Sequence, residues 1–164
     1  MSACIVYSSN TGNTRYLALA LASNLALPVR SVAEAKAPDF DLLSYDCLFL
    51  GFWVKKGLPD PEMLAYLKNI EKHKVFFFCT HAAWPDSEHV QKCKARVREL
   101  LQAKQNQVLG CFTCQGGLKR AGGDLPKHPL TPERRARLEE AAKHPNALDC
   151  ASLIQSSRKC LGLV

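Results

Sequence analysis

Short apolar runs alternate with amphipathic stretches along this chain. Ala3–Ser8 reads as a strand, and from about Asn13 to Leu25 the apolar residues recur at helical spacing. Pro28–Ser31 is a short second strand and Asp46–Phe52 a third, nearly all apolar. A helix starting near Pro59-Asp60-Pro61 and running to about Lys72 precedes a fourth strand at Val75–Thr80. Asp86 to about Lys104 reads as the next helix and Gln107–Thr113 as a fifth strand. After a long irregular stretch, Thr131-Pro132-Glu133 supplies an N-cap and a Pro at N1, and Ala147–Leu161 is helical in pattern.

Several strands are continuously apolar rather than alternating. Strands read so when helices cover both faces. Alternating strand and helix units then predict an α/β fold with a doubly wound, five-stranded parallel sheet. The 164 residues fit one domain, 1–164, with a proper core and no internal repeat.

In such sheets ligands bind beyond the carboxyl ends of the strands. Those ends are Ser8–Thr14, Phe52–Pro59, Thr80–Pro85 and Cys114–Gly117, and all carry Gly, aromatic or hydroxyl residues. The first is the most informative. Ser9, Asn10, Thr11, Gly12, Asn13 and Thr14 lie between a strand and a helix, where unpaired N–H groups and the helix dipole favour an anion. Gly12 lets the backbone approach closely, and the hydroxyls add donors. No lysine lies in the loop and no G-x-x-x-x-G-K-[ST] pattern occurs, which argues against a nucleoside-triphosphate site. Neutral donors alone suit a monophosphate ester that stays bound.

This hexapeptide resembles the [ST]-x-T-G-N-[ST] loop of flavodoxins, which holds the phosphate of FMN. The resemblance implies FMN as cofactor and the strand order 2-1-3-4-5. It also implies flavin walls from the loops after strands three and four. Phe52, Trp53, Val54, Lys55 and Gly57 then belong to the first flavin loop, and Thr80, His81, Ala82 and Trp84 to the second. Gly57 resembles the glycine whose peptide can turn toward the reduced flavin. Cys114, Gln115, Gly116 and Gly117 would offer backbone groups to the pyrimidine side. Gly51–Gly57, Ala83–His89 and Cys114–Gly116 are similar to a subgroup of small bacterial flavodoxins, some associated with bilirubin reduction.

The function implied is electron transfer between a reductase and an acceptor enzyme through bound FMN. The alternative is an NAD(P)H-dependent FMN or quinone reductase on the same fold. Neither a catalytic triad nor a set of metal ligands at suitable spacing stands out; His89 and Cys93, four apart on a helix, read as a surface or packing pair.

Charge modifies the family picture. Residues 1–54 carry three basic and four acidic side chains, and the remainder nineteen and eleven. The basic residues are scattered over helices without a nucleic-acid motif, so redox partner proteins, acidic ones among them, fit better than nucleic acid. Lys55 and Lys56 lie within the flavin loop and should favour an anionic reduced flavin. The seventeen residues Gln115–Thr131, with four glycines and two prolines, read as a partner-contacting loop.

Of the eight cysteines, Cys4, Cys47, Cys79 and Cys111 fall in apolar runs as small buried hydrophobes. Cys111 and Cys114 are three apart on a strand, hence on opposite faces, which argues against a redox pair. Free thiols, no apolar run of membrane-spanning length and no signal-peptide layout predict a cytoplasmic protein without membrane insertion.

Overall fold

The computed structural model describes residues 2–118 and 129–163. The elements are β1 (Ala3–Tyr7), α1 (Asn13–Leu25), β2 (Val29–Ser31), α2 (Val32–Ala35), β3 (Cys47–Lys55) and β4 (Leu58–Pro59). They continue with α3 (Pro61–Leu67), β5 (Lys74–His81), α4 (Glu88–Gln102), β6 (Gln107–Gln115), α5 (Pro132–Ala141) and α6 (Ala147–Cys160). The long strands pair in parallel in the order β2-β1-β3-β5-β6. This is the expected 2-1-3-4-5 arrangement, with a sixth strand, β4, added antiparallel to β3.

Period-two alternation divides the continuous apolar runs between two cores. Leu48, Leu50 and Phe52 of β3 and Val75, Phe77 and Cys79 of β5 pack with residues of α2, α3 and α4. Cys47, Phe49, Phe76 and Phe78 turn to the other face, against Leu17 and Leu21 of α1 and Leu153 of α6. On that face two bulky rings each lie beside a glycine. Gly51 is level with Phe78, and a Cβ there would stand 2.4 Å from the ring's Cζ. Gly110 is level with Phe76, where a Cβ would stand 3.2 Å from the ring. The glycines make the room that close packing of the two rings requires.

Three expectations need correction. The first flavin loop is not a plain loop. β3 runs on through Trp53, Val54 and Lys55 and folds back as a hairpin onto β4. Lys56 and Gly57 have φ of 52° and 78°, the positive values of the mirror-image turns that suit two-residue hairpins. The third helix ends at Leu67 rather than near Lys72. Buried Asn106 donates to the carbonyls of Ile70 and Leu101 at 2.8 and 2.9 Å and accepts from His73 N–H, fixing the turn into β5. Cys111 is half-buried rather than buried, because β6 is an edge strand.

Cys111 packs against the α2/α3/α4 core and Cys114 belongs to the α1/α6 core, so the two thiols do lie on opposite faces. Thr131 caps α5 through a bond from Arg134 N–H at 3.2 Å, with Pro132 in the first turn. Residues 119–128, most of the stretch read as a partner-contacting loop, lie outside the described residues. No described helix is long and apolar enough to cross a membrane.

Candidate functional site

The ends of β1, β3, β5 and β6 meet at the carboxyl edge of the sheet, and side chains tie them together there. Ser8 Oγ donates to Asp60, whose other carboxylate oxygen caps α3 through Glu62 and Met63 N–H. Asp60 N–H in turn donates to the Trp53 carbonyl at 2.9 Å. Thr14 and Thr80 hydroxyls share a bond of 3.0 Å, joining the start of α1 to the end of β5. Asn13 Nδ2 donates to the Gly117 carbonyl at 2.7 Å, and Gly116 N–H to the His81 carbonyl at 2.8 Å.

These links frame a cavity of about 200 Å³. Asn10, Thr11 and Asn13 line it from the first loop, Trp53 and Val54 from β3, and Thr80, His81 and Ala82 from β5. Gly116, Gly117 and Leu118 complete it after β6. A Cβ at Gly116 would stand 2.7 Å from Asn13 Nδ2, so only glycine leaves the amide where it is.

The first turn of α1 is open. Its N-cap is Gly12, at φ 95°, with no side-chain cap and no acid in the first turn. By contrast α2, α3, α5 and α6 are capped by Ser31, Asp60, Thr131 and Asn146. The hydroxyl of Ser9 meets one orphan donor, Arg15 N–H, at 3.2 Å. The other early N–H groups and the helix dipole face the cavity end of the loop, which suits an anion.

Two lining residues carry a buried polar atom that no described group satisfies, Asn13 Oδ1 and His81 Nε2. His81 Nδ1 lies 3.1 Å from the Ala83 carbonyl. A carbonyl only accepts, so Nδ1 carries the proton and Nε2 is left as an acceptor. Burial pushes the imidazole down to about 4, with the Ala83 bond opposing and His89 adding to the shift, so His81 is neutral at pH 7.

Other residues named from the sequence lie nearby without lining this cavity. Phe52 is fully buried, its ring stacked on Phe77 at 6.1 Å. Lys55 Nζ lies 5.8 Å from the Trp53 ring. Gly57 is at the hairpin tip, where a Cβ would stand 3.3 Å from His89. Trp84 is 43% exposed and borders two other cavities. Cys114 and Gln115 are buried and border one of these, of about 580 Å³, together with His144 and Asp149.

Gly117, expected at the ligand edge with Cys114–Gly116, does line the cavity, and Leu118 directly after it is a lining residue that sequence reasoning missed. The Ser8–Asp60 link was also missed; the Asp60-Pro61 pair signalled only a helix start. Among the described residues no group of three or more His, Cys, Asp or Glu side chains could hold a metal ion.

A family profile described as a flavodoxin domain matches residues 4–156. The flavodoxin-like domain-containing protein BilS of Clostridioides difficile (strain CD3) is 31% identical over 158 residues, covering 89% of this chain and 88% of its own. Among solved structures, a Lactobacillus acidophilus NCFM flavoprotein in complex with FMN is similar with a TM-score of 0.55 at 17% identity, covering 68% of this chain and 92% of its own. Oxidised flavodoxin 1 of Bacillus cereus gives 0.54 at 16%, covering 89% and 100%. A WrbA-like flavodoxin of Agrobacterium tumefaciens gives 0.55 at 15%, covering 94% and 98%. At these identities the structures attest the fold.

Proposed function

This chain belongs to the flavodoxin family, and on that premise we propose that it binds FMN and carries electrons between a reductase and an acceptor enzyme. The observation that carries the reading is the cavity where four strand ends converge on an uncapped helix N-terminus. When bound, FMN supplies one- and two-electron transfer; the chain supplies binding, orientation and electrostatics.

The residues present fit that cofactor. The open first turn of α1, with Ser9, Thr11 and Thr14, suits the phosphate. The indole of Trp53 is a wall of the right kind for a flat aromatic ring. His81 Nε2, a neutral buried acceptor without a partner among the described residues, suits an N–H of the flavin's polar edge. Gly116 lets the Asn13 amide hold its place on the cavity wall, where any Cβ would displace it. Lys55 and Lys56 place cations on the hairpin next to Trp53 and favour added negative charge nearby.

The test is an FMN titration followed by absorbance, on the wild type and on Gly116→Leu. One FMN per chain with flavin bands, and at least tenfold weaker binding by the variant, is the expected outcome. A chain that binds no FMN sinks the reading. Steady-state NAD(P)H oxidation then separates carrier from reductase: a carrier turns over slowly until a reductase is added.

A further inference from the structure

A second cavity, of about 410 Å³, adjoins the first and shares Val54, His81 and Ala82 with it. It adds Trp84, Ser87, His89 and Arg137. Two of these carry buried polar atoms with no partner among the described residues, Ser87 Oγ and Arg137 Nε. His81 Nε2, an acceptor assigned to the cofactor side, is not part of this set. Buried polar atoms are rarely left unpaired, and two such donors on one cavity suit a ligand that accepts from both.

The chemistry of the set is specific. Ser87 is the N-cap of α4, with the extended backbone that capping requires, yet its hydroxyl makes no cap bond. The first turn of this fifteen-residue helix lacks a side-chain cap, like that of α1, although Val90 N–H donates to the Ser87 carbonyl at 3.1 Å. Arg137, half-buried on α5, makes no ion pair among the described residues, and a guanidinium offers a rigid fork of cationic N–H donors. Among the described residues no carboxylate lines the cavity. Glu88, in the first turn of α4, is engaged with Lys92 at 2.8 Å. A fixed cation, a free hydroxyl and a helix start without a side-chain cap beside a half-exposed indole make a site for an oxyanion attached to an apolar body.

We propose that this cavity binds a small organic anion, a carboxylate or a phosphate ester, seated beside the cofactor. Its oxyanion lies on Arg137, Ser87 and the first turn of α4, and its apolar part lies against Trp84. The phosphate of FMN is assigned to α1 and leaves this second donor set free. Only the placement beside a cofactor rests on the FMN reading; the anion site itself does not.

The test follows the Arg137 Nε–H resonance of the FMN-loaded protein by nitrogen-15 NMR, assigned through its loss in Arg137→Lys. Sodium benzoate and inorganic phosphate are added in separate titrations. A saturable shift with benzoate alone supports a carboxylate ligand, and with phosphate alone a phosphate ester. Arg137→Gln and Ser87→Ala, followed by calorimetry, should each weaken the effective probe at least fivefold. Because Ser87 makes no cap bond, Ser87→Ala should leave the thermal midpoint of the protein unchanged. FMN affinity should stay within twofold in both variants. No saturable shift with either probe overturns the proposal. So does a tenfold loss of FMN affinity in Arg137→Gln, which would give the cavity to the cofactor. The same titrations on the chain as purified without FMN report on the anion site alone, so failure of the FMN reading is seen separately.

Discussion

At the scale of single residues, His81 couples the site to pH. Its folded-state value, about 4, lies below the ordinary 6.5 because burial disfavours the imidazolium. Between these values the unfolded chain binds more protons, so stability falls as pH drops from about 6.5 to about 4. The full loss is at most about 3 kcal/mol. Urea denaturation at pH 7.0 and 4.5 should show it, and His81→Gln should lose less over the same interval. His144 has the opposite sign. Its bond to Asp149 at 2.7 Å raises its value, so its contribution is present below 6.5 and fades as pH rises through the raised value. Gly51 makes a second prediction. Gly51→Ala sets a methyl against the Phe78 ring and should cost about 1–3 kcal/mol by overpacking. Phe78→Leu combined with it should recover part of that loss, measured as a coupling energy in a double-mutant cycle.

At the scale of elements, the hairpin of β3 and β4 carries the exposed Lys55 and Lys56, with Lys55 Nζ 5.8 Å from the Trp53 ring that lines the site. A unit charge about 10 Å away in a water-like dielectric contributes about 0.4 kcal/mol, before screening by salt. Reversing both lysines should therefore lower the potential of bound FMN by tens of millivolts, and less so at high ionic strength. Redox titration of Lys55→Glu/Lys56→Glu at two salt concentrations checks this; an unchanged potential would sink the electrostatic account. The hairpin also marks the limit of the sequence. Continuous apolar runs announced β1, β3, β5 and β6, because burial on both faces leaves that trace in composition. The two-residue partner of β3 left none, since Leu58-Pro59 is too short to carry a period. Lys56-Gly57 does not contain the Asn or Asp that usually flags such a turn.

At the scale of the whole molecule, the first loop was legible because phosphate chemistry is local: six consecutive residues hold the hydroxyls, the glycine and the helix start. The rest of the site is not local. Arg137 reaches its cavity from α5 with nothing in its own sequence to mark it. Phe52, an aromatic residue in a flavin-loop position, faces inward because strand parity puts it with Leu48 and Leu50. A cavity built from four strand ends binds only the folded chain. FMN at about 100 times its Kd should raise the unfolding free energy by about 2.7 kcal/mol. A thermal scan with and without FMN checks this, and an unshifted midpoint would contradict binding to the folded state.

The bond from Asn13 to the Gly117 carbonyl spans 104 residues, and it closes over the floor of the site. On a ribosome the phosphate loop emerges early, but that closure waits until β6 has been synthesised and paired. Long-range parallel pairing is also the slow part of folding for such topologies. A nascent chain truncated before Gly117 would carry a recognisable phosphate motif and still lack the wall that makes it a binding site. Cofactor capture then reports on completion of the sheet, and a chain stalled in synthesis would not hold the cofactor prematurely.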